Sequence, residues 1–453
     1  MKLKTVTPCI LAMVAIMAPT SLQMAYATDV FRFEGVGPVS RGMGGAATAF
    51  DVGAAGMMTN PATLSLMNSG SEIHLGLDFV MTDISAENKT TGEKASSDSH
   101  AHNRGPYAAP EAAFVYRAAP LTLGFGAFAQ GGLGTEYGRD TFLSRASGNL
   151  NTGLENSSRL LVLNIPFAVS YDVSEKLTIG AALDAMWEGL NLELLMPAED
   201  VGALIQGGRV TGSLLPVLGG LPDLRGAHFS MTKDHPLASG IDAWGVGARV
   251  GAVYRLSKDT IAGAAYTMES QIADMEGNAT MTAVDGSAGQ IPLRGKIKLR
   301  GLQMPAHLGI GVSQRINEHW LVAADISRVF WESAVKDLKV SFLADDGKTI
   351  DIRLPQNYKD QMIYSFGVAY RTGPWTLRTG GRIANQAMRS DTVIAVIPAI
   401  PTKHASAGFS YDFSTASTVD FAYSHAFEES IDSPTTRLVH SQDNFSIAYT
   451  YRF

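Results

Sequence analysis

Thiol chemistry is almost absent from this chain: one cysteine, Cys9, stands alone in 453 residues. No disulfide can close within the chain, and no cysteine cluster is available to ligate a metal. Charge is scarce too, at 17% of residues against about 25% in ordinary soluble domains. The charge present is net acidic (−7) and forms no basic cluster, which argues against a nucleic-acid partner, since such binding needs lysine and arginine to displace counterions. Catalytic signatures are missing as well. There is no HExxH, no phosphate-binding Gly-Lys loop and no GxSxG, so no catalytic residue, cofactor or metal site is assigned. Gly124-Phe125-Gly126-Ala127-Phe128-Ala129 fits a loose dinucleotide pattern but lies in a strand with no helix after it. His100 and His102 form a short pair in a polar loop and read as solvated. Finally, no stretch of about 18 apolar residues runs unbroken, as a membrane-spanning helix requires. Yet 45% of the residues are hydrophobic, so the apolar surface must come in short pieces.

Residues 1–27 read as a secretory signal. Lys2 and Lys4 open it, Ile10 to Ala18 is the apolar stretch, and Ala25-Tyr26-Ala27 is an A-x-A cleavage site. Cleavage there removes Cys9 and two lysines but no acid, taking the formal charge from −7 to −9.

From residue 72 onward the dominant pattern is period two. Phe445, Ile447, Tyr449, Tyr451 and Phe453 share one face; Ser446, Ala448, Thr450 and Arg452 share the other. The same alternation runs through 403–413, 417–424 and 72–81. A half-buried strand of a soluble sandwich alternates in this way too. The recurring Gly, Ser, Thr and charges on the polar face, and aromatics near strand ends (Trp187, Trp244, Trp320, Trp375), favour a wet lumen and interfacial girdles. The predicted strands are 72–84, 107–118, 121–131, 159–172, 177–193, 242–256, 260–275, 296–314, 320–342, 361–371, 375–385, 403–413, 417–430 and 441–453. The fold class is therefore all-β, a transmembrane antiparallel barrel of about 14 strands spanning 71–453. Short turns such as 172–176, 257–259 and 414–416 alternate with long segments at 85–106, 132–158, 194–241 and 276–295, the asymmetry of an outer-membrane barrel.

Two segments depart from this pattern. Loop 194–241 carries Leu204, Leu214, Leu215 and Leu218, which either pack as a helical cap or form a landing site for an apolar ligand. Residues 28–70 do not alternate. They are rich in Gly and Ala between Gly42 and Gly56, too apolar for a disordered tail, and read as a plug folded into the lumen. Asn60 is a plausible N-cap there, with Pro61 at the first helical position and Ala62 following.

Asn60-Pro61-Ala62 after a glycine-rich N-terminus resembles the hatch of the FadL family of outer-membrane transporters of long-chain fatty acids and other hydrophobic compounds. Leu302-Gln303-Met304-Pro305, Phe330-Trp331, Tyr358-Lys359-Asp360, Trp375 to Gly380 and Pro401-Thr402-Lys403-His404 resemble that family's C-terminal half in order and spacing. The resemblance implies a monomeric barrel with an N-terminal hatch, residing in outer-membrane lipid and lipopolysaccharide after insertion by the barrel assembly machinery. It also implies ligand capture at extracellular loops, hatch movement centred on Asn60, Pro61 and Ala62, and lateral exit through a kink in the third strand. Here that kink would fall at Gly131, Gly132 and Gly134, unless these glycines merely form a loop. A carboxylate ligand would call for a buried cation; Arg159, Arg249 and Arg300 are the leading candidates, with Lys298, Arg378 and Arg382 also expected to face inward. Near the end of the fifth strand, where the family's fatty-acid binders carry basic residues, this chain has Glu188 and Glu193.

The implied function is passage of hydrophobic small molecules, with long-chain fatty acids leading and neutral aromatic or aliphatic hydrocarbons as the alternative. A general porin for polar solutes fits poorly with a plug and an apolar loop.

Overall fold

The computed structural model describes residues 30–98, 107–231 and 240–453. The predicted leader with its predicted cleavage site, Cys9, His100 and His102 lie outside the described residues.

Fourteen strands hydrogen-bond in a closed antiparallel ring. They are β1 (Gly70–Asn88), β2 (Tyr107–Ala118), β3 (Leu121–Glu136), β4 (Ser157–Asp172), β5 (Leu177–Pro197), β6 (Ile241–Arg255) and β7 (Thr260–Thr267), then β8 (His307–Arg315), β9 (Trp320–Val329), β10 (Gln361–Thr372), β11 (Trp375–Ala384), β12 (Lys403–Asp412), β13 (Ser417–Asp432) and β14 (Thr436–Arg452). Each pairs with the next, and β14 closes on β1 from Glu72↔Arg452 to Asn88↔Thr436. A closed ring leaves no edge, which a sheet immersed in hydrocarbon cannot tolerate. Near the extracellular rim the ring widens. The strands Leu224–Met231 and Met275–Asp285 wedge between β5 and β6, so a circuit taken there passes through sixteen strands.

The period-two pattern sets which face is which. In β4, Phe167 is 60% exposed whereas Asn164, three residues earlier, is 1% exposed and faces the interior. The outward face is apolar in strand after strand, with Leu75, Leu183, Val250, Ile310 and Ile447 exposed to the bilayer. Trp320 and Trp375 stand outward at the periplasmic starts of β9 and β11, against Tyr370 and Tyr411, as an interfacial girdle.

Three predicted strands need correction. The segment 296–314 holds two elements: Gly289–Arg300 pairs with Met275–Asp285 outside the membrane wall, and only His307–Arg315 belongs to the ring. The break falls at Gly301, whose φ of 85° suits glycine, and continues through Pro305. Likewise β9 stops at Val329, where a short helix Trp331–Ala334 intervenes before the rim strand Asp337–Ala344. The predicted strand 260–275 ends its main run at Thr267.

Candidate functional site

The N-terminal segment fills the lumen and touches strands all round the ring. It carries a helix (Gly37–Gly42) and two 3-10 turns (Gly53–Met58 and Pro61–Leu66). Side-chain hydrogen bonds tie it to β2 (Gly37 N to Glu111 Oε1, 3.2 Å), β4 (Ser170 Oγ to Ala62 O, 3.4 Å), β8 (Ser313 Oγ to Ala49 O, 2.7 Å) and β12 (Gly44 N to Ser406 Oγ, 3.1 Å). Elsewhere its backbone lies directly on wall glycines. A Cβ on Gly180 of β5 would collide with Ala62 N, one on Gly263 of β7 with Thr48 O, and one on Gly367 of β10 with Met43. The inward glycines of these strands are therefore required by close approach of backbone to backbone.

Three polar anchors organise the plug. Arg41 is fully buried between Glu34 (3.1 Å) and Asp78 of β1 (3.1 Å), and it donates a further bond to Asp78 Oδ2 at 3.2 Å. Glu34 is shared in turn with Ser424 of β13 and Asn444 of β14. Burial alone would raise the Glu34 carboxyl, but Arg41, His404 and the Ser424 hydroxyl bring its pKa down to about 2. Asp325 of β9 forms the second anchor, accepting from Ala47 N (2.8 Å), Thr48 N (3.0 Å) and Thr48 Oγ1 (2.7 Å). Asn60 is the third. Its Oδ1 caps the turn by accepting from Ala62 N at 3.1 Å, as its sequence context predicts, while its Nδ2 donates to Thr48 O (2.7 Å) and to Ala252 O of β6 (3.2 Å). One side chain thus joins two segments of the plug to the wall. Pro61 and Ala62 lie buried beside it, and a Cβ on Gly251 would strike Asn60 itself.

Among the described residues the wall is broken between β2 and β3. Strand β3 pairs with β2 only from Ala118↔Leu121 to Glu111↔Phe128; residues 107–110 of β2 keep their β1 partners but have none on β3. In β3 the in–out alternation holds to Phe128, then Ala129, Gln130 and Gly131 are all buried, and the register against β4 slips between Ala129 and Gly131. The plug takes up the hydrogen bonds left over. Phe33 N donates to Gln130 O (3.1 Å) and Gly132 N donates to Phe31 O (2.9 Å), with Arg32 bridging Gly131. A Cβ at Gly131 would collide with Phe31 O, and one at Gly134 with the Tyr107 ring. All three glycines flagged in the sequence thus sit at this break. Behind it a cavity is bounded by Val30, Phe33, Ile84, Leu133, Ala399 and His440.

Above the plug the lumen is apolar. A continuous buried cluster joins plug residues Val30 and Phe31, wall residues Leu160, Val162, Met186 and Leu190, and loop residues Phe229, Met281, Trp331, Tyr358 and Ile397. Phe31, Trp331 and Tyr358 form an aromatic trio with centroid separations of 5.6, 6.1 and 6.2 Å. Burial pushes the Tyr358 hydroxyl well above its ordinary range, so it stays a neutral phenol. In the apolar loop, helices Ala198–Gln206 and Leu215–Gly219 form over this cluster. Leu214 and Leu218 are buried in it, Leu204 and Leu215 pack against it half-buried, and Ile205 and Val217 stay exposed.

A family model described as outer membrane protein transport protein (OMPP1/FadL/TodX) matches residues 16–451. The chain belongs to the FadL/TodX family. It is a multi-pass β-barrel of the outer membrane and a transporter of hydrophobic compounds; the family and fold are those of transport channels. Among solved structures, the Pseudomonas putida toluene transporter TodX is 38% identical, with a TM-score of 0.84 over 93% of this chain and 99% of that one. The Ralstonia pickettii toluene transporter TbuX is 43% identical, with a TM-score of 0.81 over 93% and 99%. A long-chain fatty acid transport protein from Escherichia coli O6:H1 is 25% identical over 91% of this chain and 89% of its own length.

Within this FadL/TodX barrel the three arginines considered for a carboxylate do not converge. Arg249 is buried in an ion pair with Asp184 of β5 (3.1 Å) and also donates to Met57 O of the plug. Arg159 lies at the wall break, its guanidinium 5.8 Å from the Tyr107 ring. Arg300, with Lys298, lies on the extracellular strand outside the ring beside Asp274, so the expectation that these two face the lumen is corrected. Arg378 and Arg382 do face inward, toward Asp420 and Glu34 O. Sequence reasoning missed the aromatic trio and the Arg41 anchor. The one available signal was an arginine set in a run of small residues, Ser40-Arg41-Gly42.

Proposed function

We propose that this protein carries neutral hydrophobic molecules of about one aromatic ring, which enter between the extracellular loops, lodge in the apolar chamber and leave sideways through the break between β2 and β3. The observation that carries this reading is the aromatic trio Phe31–Trp331–Tyr358, whose Phe31 also forms the hydrogen bond sealing the break. A ring that buries about 150–250 Å² gains about 4–6 kcal/mol on leaving water, enough to fill such a chamber from dilute solution. Leaving through the wall keeps the solute in apolar surroundings throughout. Asn60, Pro61 and Ala62 hold the hatch side, and Leu214 and Leu218 the entrance. Arg41 and Arg249 are each engaged in ion pairs between oppositely charged side chains, and this favours neutral cargo over a carboxylate. The toluene transporters at 38–43% identity support the same choice.

Long-chain fatty acids form the second reading, supported by the relatives named for them at 25–26% identity. Uptake by intact cells separates the two. With expression of this chain, toluene should accumulate several-fold faster while laurate changes little; the reverse order would favour the fatty-acid reading.

A further inference from the structure

The inner face of β4 and β5, above the plug, carries polar side chains that the barrel itself does not satisfy. Val162 stands opposite Glu188 and Asn164 opposite Met186, so Glu188 and Asn164 occupy diagonal positions of one inward-facing patch. Both are 1% exposed. Both carboxyl oxygens of Glu188, and both the Oδ1 and Nδ2 of Asn164, are buried without a hydrogen-bond partner. The neighbours of Glu188 on that face are Val162, Met186, Leu190 and, across β6, Ala243. All four belong to the apolar cluster that contains the aromatic trio. Arg249, on the strand beside Glu188, is already paired with Asp184, two inward positions closer to the plug.

Buried polar groups are nearly always paired, and one left bare among apolar side chains is costly. Two such groups at diagonal positions of one inward face, set among the residues of the apolar cluster, make a polar edge in an otherwise greasy surrounding. We infer that Glu188 and Asn164 form a ligand-recognition site for a neutral, mostly apolar molecule carrying a hydroxyl group, such as a phenol or an alcohol. The hydroxyl donates to one Glu188 carboxyl oxygen and accepts from the Asn164 Nδ2, so each partner gains one of the bonds that it lacks. The same edge disfavours a carboxylate, which would meet an acidic side chain with no paired cation between them. A site built to bond a hydroxyl discriminates strongly against an analogue that lacks it, because its own polar groups are then left unpaired.

This inference rests on the chamber being the ligand site. It is tested with three probes of one shape: para-methylphenol, toluene and para-methylbenzoate. Their affinities for the purified full chain in detergent are measured by calorimetry. Apolar transfer alone would rank toluene first, because it is the least soluble in water. The expected result is para-methylphenol bound about ten-fold more tightly than toluene, the scale of one satisfied buried hydrogen bond, with the benzoate weakest. In Glu188→Leu/Asn164→Leu the preference should vanish while toluene affinity holds or improves. Glu188→Gln, which keeps a neutral hydrogen-bonding group, should retain most of it. Heat-modifiable electrophoretic mobility verifies folding of each variant. Equal affinities for the phenol and toluene, or a preference that survives in the double variant, would overturn this assignment while leaving the chamber intact as a hydrocarbon site. If none of the three probes binds, the chamber reading falls and this inference with it.

Discussion

Phe31 and Gly132 are joined by a backbone hydrogen bond of 2.9 Å, in which the plug serves as the missing neighbour of β3 at the only stretch where β2 departs from it among the described residues. Gly131 permits that approach because it has no Cβ to strike Phe31 O. Gly131→Val should push residues 31–33 off β3 without disturbing the β1–β2 and β4–β5 pairs. The expected outcome is a folded barrel in which Arg32 becomes open to trypsin, whereas the parent resists cleavage there. Equal resistance would show that the plug does not depend on this contact.

Arg41 bridges plug and wall through Glu34 and Asp78. Arg41→Ala leaves two buried carboxylates without their cation, a loss of about 3–5 kcal/mol for a buried pair broken on one side. That is enough to undock the plug while the wall remains closed. Planar-bilayer recordings should show long openings in Arg41→Ala and rare ones in the parent. Arg41→Leu combined with Asp78→Leu should recover part of the closed behaviour.

Acid should act on the same anchor. The Glu34 pKa is lowered to about 2 in the docked plug from an ordinary value of 4.5. A lowered pKa stabilises docking above the ordinary value, and the contribution is lost as pH falls through the docked value. Conductance should therefore stay low from neutral pH to about pH 4.5, rise progressively below it and be highest as pH approaches 2. In Glu34→Gln that acid-induced rise should be absent. An opening centred near pH 4 to 5 in the parent would contradict the role given to Glu34.

Asn60 makes one accepting and two donating hydrogen bonds, buried except for the partly buried one to Ala252 O. Asn60→Ala should slow hydrophobic uptake several-fold, with the heat-modifiable folded band retained. Asn60→Asp should be the worse of the two. It keeps the cap but turns an acceptor toward the carbonyls of Thr48 and Ala252, and unsatisfied buried groups of this kind cost about 1–3 kcal/mol each. Equal effects of Ala and Asp would show that the cap alone matters.

The wall could be read from period two because one face meets lipid and the other meets lumen in every strand. The same pattern misled at 296–300 and 337–342. There Ile297, Leu299, Leu338, Val340 and Phe342 also alternate, because those rim strands bury one face on the apolar cluster instead of in lipid. Alternation reports a boundary, and it does not say what lies beyond. The cap at Asn60 was legible because it rests on local backbone geometry; the glycines at the wall break were picked out by the family resemblance, which implies a kink in the third strand. The aromatic trio was not legible, since Phe31, Trp331 and Tyr358 meet only after the ring closes. The partner of Arg249 could not be named for a related reason: Asp184 lies on the neighbouring strand, 65 positions earlier in the chain.

Lateral exit is the claim on which the rest depends, and a thiol placed in the wall break tests it most directly. Ala109 lies on the stretch of β2 that has no β3 partner, and the only native cysteine, Cys9, lies in the predicted leader. In Ala109→Cys, toluene uptake by intact cells is measured before modification, after a benzyl thiosulfonate attaches a ring to the thiol, and after a reductant removes it. Ala407→Cys, on β12 away from the break, serves as control. The expected result is a loss of about ten-fold or more, as when a fitted apolar path is filled, restored by reductant and absent in the control. Undiminished uptake in Ala109→Cys with its introduced thiol fully modified would contradict exit through the wall.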